Sequence, residues 1–521
     1  MGGLSDVAGR IGGYVPGWLD RATVVQSAFV GIAAVLGSYA VAGFTPAFVV
    51  APVESFLVVW MPGIVIRYAI TVLGDLGKDL NLLTAVGLAA GGFAVVTFTV
   101  LTLIRRSGDA PPEADSAITA AVPLVTGGAV LATAFALTGG VGSSLGAGIA
   151  AGVVSGAAEI GVGTGRRDTD RSSRRRILQS GGALALGGAV AGVLGSRGGL
   201  ASNAAIERNP NVTQPADVME RSEVTDGVEN RLAEASDKSL DVEGMEPLVS
   251  EKFYRTDINN TVPTPSAVDW ELSITGAVQF EQSYDFENLG SFDPQHRFMS
   301  LRCVGESRNG DKMDNAIWTG VPIGPLLNEA NPRGDFVMVH AVDGYSVGFP
   351  LEALEGSFLA YGMNGERLPR KHGYPVRLLV PGHWGEVNAK WIEEIEIQNE
   401  EEKGYWEKKG WQGTGPVNTV AKIKAENRVD GRIQVGGQAY AGTRGVSEVQ
   451  VSIDGGEWQD ATLSDPLPGQ DVWRQWKYEF DDDGADHEVV ARAIENDGDV
   501  QPDEETGSFP SGASGWVSRT V

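Results

Sequence analysis

Phe298-Met299-Ser300-Leu301-Arg302-Cys303 reads as a β-like segment that ends on the single cysteine of a 521-residue chain. A lone cysteine is ordinarily a small buried hydrophobe. Here its neighbours are cationic. Arg302 is adjacent and Arg308 follows closely, and nearby cations stabilise a thiolate. A thiolate is the ligand that a soft metal centre takes. One cysteine excludes an intramolecular disulfide. It also excludes cysteine-ligated zinc and iron–sulfur sites, which need several thiolates. No Cys-x-x-Cys-His occurs, so covalent c-type haem is excluded as well.

Outward from the cysteine, the text stays globular from about residue 248. Residues 248–400 mix β-rich segments with short helices. His372, Arg377 and Lys390 surround Val380-Pro381-Gly382-His383-Trp384-Gly385, a loop punctuated by Gly and Pro. The loop follows a short apolar run at 376–380, and residues 391–397 alternate in strand fashion. A strand, a glycine loop and fixed cations suit an anionic ligand such as a phosphate. Beyond Trp411 the chain reads as short strands and turns, among them 432–435, 448–453 and 476–480. Asp454-Gly455-Gly456 is a hairpin turn. Roughly seven such strands point to an immunoglobulin-like sandwich.

Toward the N-terminus the composition changes. Residues 201–247 are rich in Asn, Asp, Glu and Ser and read as an exposed linker. The first 200 residues or so are rich in Gly, Ala, Val and Leu. Apolar stretches at 22–44, 56–73, 82–104, 117–137 and 141–162 approach or exceed the ~20 residues that cross a bilayer. Their Gly and Ala suit close helix packing. Pro62 and Arg67 interrupt the second. Then come Arg166-Arg167 and Ser173-Arg174-Arg175-Arg176-Ile177-Leu178-Gln179, ahead of an apolar run to about Gly195. This resembles a twin-arginine export signal, here internal; a plain positive-inside anchor is the alternative. Either way the arginines face the cytoplasm and the chain after Gly195 lies outside. Arg105-Arg106 agrees with that topology, and six spans put the N-terminus outside too. The organisation expected is therefore 1–163 as a membrane region of about five helices and 164–200 as a twin-arginine-like signal or anchor helix. A linker at 201–247, a catalytic domain at 248–400 and a sandwich at 401–521 follow.

The net charge of −26 falls almost wholly on the later part of the chain. An acidic surface argues for solubility and against nucleic acid as a partner, since phosphates are repelled. It also fits a halophile.

The ordered motifs resemble one family. Phe253-Tyr254-Arg255, Asn259-Asn260-Thr261-Val262-Pro263 and Trp270-x-Leu272-x-Ile274-x-Gly276 look like the opening of sulfite oxidase family domains. Leu301-Arg302-Cys303-Val304-Gly305-Glu306 looks like the family's cysteine segment. Trp318-Thr319-Gly320-Val321-Pro322 resembles its next helix start. Asp343-Gly344-Tyr345-Ser346, Tyr361-Gly362-Met363-Asn364-Gly365, His372-Gly373-Tyr374-Pro375-Val376-Arg377 and Ala389-Lys390-Trp391 follow in the family's order. The tail resembles the family's dimerisation domain through Gly415-Pro416-Val417, Val435-Gly436-Gly437 and Asp454-Gly455-Gly456-x-Trp458. The resemblance covers about residues 248–521 and leaves out the membrane region.

The resemblance implies a multi-domain chain. Transmembrane α-helices precede an α+β molybdopterin domain and an immunoglobulin-like β-sandwich. It implies one molybdenum on one molybdopterin, with Cys303 as the metal ligand. Tyr254, Arg255, His372, Arg377, Asn388 and Lys390 match positions that hold the pterin and its phosphate or border the substrate. Asp343 matches a further pterin contact. Arg255 sits where the family places an anion-binding arginine near the metal. The reaction implied is oxygen-atom transfer, with sulfite or a related sulfur anion as the first substrate. Two residues depart from the pattern. Trp411 stands where the family has a substrate-pocket tyrosine, and indole offers only a donor. Glu306 stands where the classical enzymes have asparagine.

No haem domain precedes the catalytic unit, and all five histidines lie in the second half of the chain. No haem is therefore expected here, and electrons are expected to pass to an external electron-transfer protein. Membrane lipid and a second copy, in a homodimer, are the other partners expected. The competing readings are an S- or N-oxide reductase of the methionine sulfoxide reductase type, a nitrate reductase, and a membrane-anchored scaffold without metal.

Overall fold

A computed structural model describes residues 21–106, 112–159, 169–196 and 215–521. The chain divides into two compact units. One holds Met1–Met61, Asp75–Glu207 and Asn259–Val262; the other holds Pro62–Gly74, Arg208–Ile258 and Pro263–Val521.

The first unit is helical. Its long helices are Arg21–Ala42, Asp75–Arg106, Pro112–Thr138, Val141–Glu159 and Thr169–Ser196. Each carries a stretch long and apolar enough to cross a membrane. Small residues set their spacing. A Cβ on Gly37 would lie 2.2 Å from the carbonyl oxygen of Gly146, so these two backbones meet only because neither has a side chain. At one end, Arg105 Nη2 donates to Gln26 Oε1 at 2.8 Å and Glu159 Oε1 at 3.0 Å.

The second apolar stretch departs from expectation. Residues 56–73 are not one continuous helix: Ala51–Trp60 and Gly63–Leu73 are apolar enough together to cross a membrane but are bent by 106° at the break between them. Helix Ala51–Trp60 ends at Met61, and Pro62 turns extended with ψ 140. Proline lacks the N–H that would continue the ladder, and its ring blocks the carbonyl four residues back. Gly63–Tyr68 then starts a new short helix, followed by a π-helical turn at Ala69–Leu73. These residues belong to the second unit.

The second unit contains two sheets within residues 271–398 and two beyond residue 419. The first orders Gln282–Asp285, Glu271–Gly276, Ile392–Gln398, Phe336–Ala341 and Ser346–Pro350; Glu271–Gly276 and Ile392–Gln398 run parallel. The second runs Gln295–Arg302, Met313–Pro322, Phe358–Met363 and Glu366–Arg367, with Arg377–Leu379 also on Phe358–Met363. Trp318 to Pro322, expected at a helix start, instead completes the strand Met313–Pro322; the helix begins at Gly324. Its run of buried residues suits a central strand, covered on both faces.

C-terminal to these, two antiparallel sheets share a core. One contains Val420–Ala421, Arg432–Tyr440, Arg474–Asp481 and Thr462–Leu463, with Ala425–Val429 at its side; the other contains Gln459–Asp460, Val446–Ile453, Glu488–Glu495 and Val517–Thr520. Inward residues alternate along the strands, as at Val489, Ala491 and Ala493. The hairpin turn falls where expected, with Asp454 at φ 51 and Gly455 at φ 70, the paired positive values that this turn needs.

The expected linker is ordered where it is described. Helix Ser222–Lys238 buries Val224, Val228 and Ala235. Their spacing is one face of a helix. The polar residues between them hid that stripe. The Arg166-Arg167 pair and residues 201–214 lie outside the described residues.

Candidate active site

Cys303 follows directly on the strand Gln295–Arg302. Its N–H donates to Lys312 O at 2.9 Å, and its carbonyl accepts from Glu306 N at 3.1 Å. A tight turn therefore lifts the thiol off the end of the strand. Its Sγ lies 3.7 Å from Thr256 Oγ1 and is partly exposed.

The turn is braced from below. Arg302 is fully buried and donates from Nε to Glu306 Oε2 at 3.0 Å and from Nη1 to Asn418 O at 2.8 Å. Glu306 also accepts from Lys312 N at 2.6 Å and pairs with the buried Lys422. A carboxylate between two buried cations explains the departure at Glu306. It joins the cysteine turn to the C-terminal sheets through Lys422. Arg302, which the sequence offered as a thiolate-stabilising cation, is spent in this network. Arg308 is likewise engaged, with Glu505 and with Trp516 O at 3.2 Å.

The cations expected to gather do gather. Arg377 begins a short strand and is almost wholly buried. Its Nη1 donates to His372 O at 3.1 Å and its Nη2 to Asn388 O at 3.0 Å, while Nε has no partner among the described residues. Burial lowers the guanidinium to about 10. His372 is pushed down to about 4 by burial, then by Arg377 and Lys390. Lys390 donates to Thr256 O at 3.0 Å, pairs with Asp257, and falls to about 8 chiefly through burial. Arg255 pairs with the same Asp257. Asp343 rises to about 6, chiefly through burial and against the pull of Lys390. Burial and the nearby Cys303 raise the Tyr254 phenol well above its usual range.

Two expected residues serve the scaffold more than an open site. Asn388 Oδ1 accepts from Val380 N at 2.7 Å, and its Nδ2 donates to Trp384 O at 2.9 Å. It ties the loop 380–388 together from within. Tyr254 stands over that loop: a Cβ on Gly385 would come 2.3 Å from its Oη. Trp391, next to Lys390, holds φ 52 while fully buried. A bulky residue in that region costs about 1–3 kcal/mol, a strain that collects at functional sites.

The sequence reading missed three acids. Asp257 links Arg255 to Lys390. Glu386 and Glu407 face one another, and apart from the hydrogen bond that a proton on one of them makes to the other, their buried carboxyl oxygens have no donor among the described residues. Burial, then Glu407 and Cys303, push the Glu386 carboxyl well above the carboxylate range. Trp411 is buried beside Phe509 and Trp406, and its Nε1 has no acceptor among the described residues. No spacing in the chain announces these neighbours.

One thiol, a cluster of cations with an unused buried Nε, and a glycine-rich loop fit a phosphate-bearing cofactor whose metal takes a single thiolate. Among the described residues no group of three or more His, Cys, Asp or Glu offers a metal site built of protein ligands alone.

Comparisons agree with that chemistry. The family profile of the oxidoreductase molybdopterin binding domain matches residues 259–406. The oxidoreductase YuiH of Bacillus subtilis is 32% identical over 151 residues, covering 28% of this chain and 74% of YuiH. Mitochondrial sulfite oxidase of Mus musculus is 26% identical over 299 residues, covering 46% of this chain and 55% of that protein. The chain thus spans about half the length of the mammalian sulfite oxidases it matches. The sulfane dehydrogenase SoxCD of Paracoccus pantotrophus aligns with a TM-score of 0.41 at 24% identity, over 47% of this chain and 72% of that one.

Proposed function

The chain belongs to the molybdopterin-binding oxidoreductases, and from that premise we propose that it is a membrane-anchored enzyme of oxygen-atom transfer that oxidises sulfite or a related small sulfur anion. The observation that carries this reading is Cys303 on its turn, with Arg255, His372, Arg377 and Lys390 gathered close by. Cys303 would hold the molybdenum. Arg377 would hold the pterin phosphate with its unused Nε, and Lys390 and His372 would border it. When bound, the cofactor supplies the two-electron oxygen-atom chemistry. The protein's share is placement and charge. Arg255 would attract the anion, with Asp257 fixing its direction, since positive groups near a developing anion are worth most when preorganised.

The five apolar helices support anchoring in a membrane, with the catalytic region outside the cytoplasm. The electrons would leave to a separate electron-transfer protein, and the C-terminal sheets would form an immunoglobulin-like dimerisation domain. The test is sulfite-dependent reduction of an artificial dye by the purified, cofactor-loaded protein. Turnover supports the reading; a loaded protein that leaves sulfite untouched refutes it.

Reduction of S- or N-oxides is the second reading, and one observation favours it. Asp257 offsets one of the two charges of Arg255 and Lys390, and the Glu386 carboxyl beside the thiol is held toward its protonated form, a donor for a neutral oxide oxygen. That setting tolerates an uncharged oxide better than a dianion. Oxidation of a reduced dye by a sulfoxide, with no sulfite activity, is the result it requires.

A further inference from the structure

The segment Pro62–Gly74 precedes Cys303 by more than two hundred residues, yet it belongs to the same compact unit as the cysteine. Three of its residues fasten it. A Cβ on Gly63 would lie 2.7 Å from Lys409 O, so the backbone approaches closely there. Arg67 sits over the ring of Phe509, 4.2 Å from its centroid, and Phe509 packs edge-on against Trp411 at 5.2 Å. Ile70 packs on the core that contains Val304 and Trp411. Positions 63, 67 and 70 fall on one face of a helix. The remaining face leaves Ile64, Val65, Tyr68 and Val72 exposed.

Gly305 shows where Ile70 points. A Cβ built there would have three near neighbours: Ile70 Cγ2 at 3.5 Å, Trp411 Cη2 at 3.7 Å and Cys303 Sγ at 3.8 Å. Ile70, Trp411 and the thiol therefore surround one small space that glycine leaves open. The turn that carries Ile70 is π-helical. Such turns are rare and concentrate at functional sites.

We propose that Pro62–Gly74 forms one wall of the entrance to the metal centre, and that Ile70 is a specificity-determining residue. It restricts the site to compact substrates. This rests on the proposal that Cys303 holds the metal. With Trp411 opposite, the wall is apolar and close. A small sulfur oxyanion or a dimethyl-sulfoxide-sized oxide passes it. A sulfoxide carried on a polypeptide does not.

Two experiments on the full-length chain test this. The first needs no cofactor. In a Cys303→Ser background, Ile70→Cys with Gly305→Cys is oxidised with diamide, or, should the Gly305 variant fail to fold, Ile70→Cys with Trp411→Cys is treated with a short bismaleimide that spans the indole's length, and the peptides are mapped. The expected result is a linked pair, and no link when Val72→Cys replaces Ile70→Cys. Free thiols at both positions in folded protein overturn the wall. The second compares kcat/KM for dimethyl sulfoxide, an aryl sulfoxide and sulfite at equal molybdenum content. Ile70→Ala should relax discrimination against the aryl compound at least about tenfold, as removal of several buried methyl and methylene groups permits. Ile70→Trp should slow all three, and Val72→Ala should change none. Unchanged size selectivity in the Ile70 variants, with the link formed, overturns the specificity role. Wild type that turns over no compound refutes the functional reading instead, and the linkage result still stands for the wall.

Discussion

At the scale of residues, three acids, Asp257, Glu386 and Glu407, stand against a cluster of cations and one thiol. Cys303, Arg377, His372 and Lys390 were legible because each sits in a short local motif. Asp257, Glu386 and Glu407 were not, because only the fold brings them to the cations and the thiol. His372 gives a direct test. Burial and its two cationic neighbours keep its imidazole neutral down to about 4, whereas an exposed histidine takes its proton near 6.5. As pH falls from about 6.5 toward about 4, the unfolded chain binds a proton that the folded one refuses. His372 therefore costs the cofactor-free protein stability across that window and nothing above it. Titration by NMR should place His372 near the low end, and His372→Gln should flatten the acid loss of stability over the same range. A midpoint near 6.5 would contradict the burial argument. Gly385 gives a second test. Gly385→Ala sets a methyl against Tyr254 Oη and should lower cofactor retention. A retained cofactor load in folded protein would show that Tyr254 moves aside freely.

At the scale of elements, strands were read more surely than helices. The apolar run at 376–380 holds the strand Arg377–Leu379, and 448–453 and 476–480 lie within strands because alternation and turn residues agree over a few positions. The helix Ser222–Lys238 was lost among polar residues, since its apolar stripe is one residue wide. Pro62 was visible as an interruption, but nothing local says that the residues after it join a different unit. Glu306 binds two elements, the cysteine turn and the strand entry at Lys422. Removing one partner of a buried pair leaves a charge without compensation, at a cost of about 3–5 kcal/mol. Glu306→Ala should therefore lower the denaturation midpoint of the catalytic unit sharply. Glu306→Gln, which keeps hydrogen bonds but not charge, should lie between. Loss of less than about 1 kcal/mol in Glu306→Ala would show that Arg302 and Lys422 find other partners.

At the scale of the whole molecule, composition separated the helical region from the acidic remainder, and ordered motifs identified the cofactor class. The substrate was not legible, because Trp411 and Glu306 depart from the sulfite oxidase pattern and the acids near Cys303 reach it only through the fold. Placement outside the cytoplasm has its own test: protease added to intact cells should cut within residues 248–521, and protection there would contradict the proposed orientation. The most direct measurement is molybdenum per chain in purified wild type and in Cys303→Ala, each matured under the same conditions. Near-stoichiometric metal in wild type, with the variant strongly depleted or inactive although folded, is the result expected. Metal-free wild type from cells that load other molybdopterin enzymes would contradict the central claim.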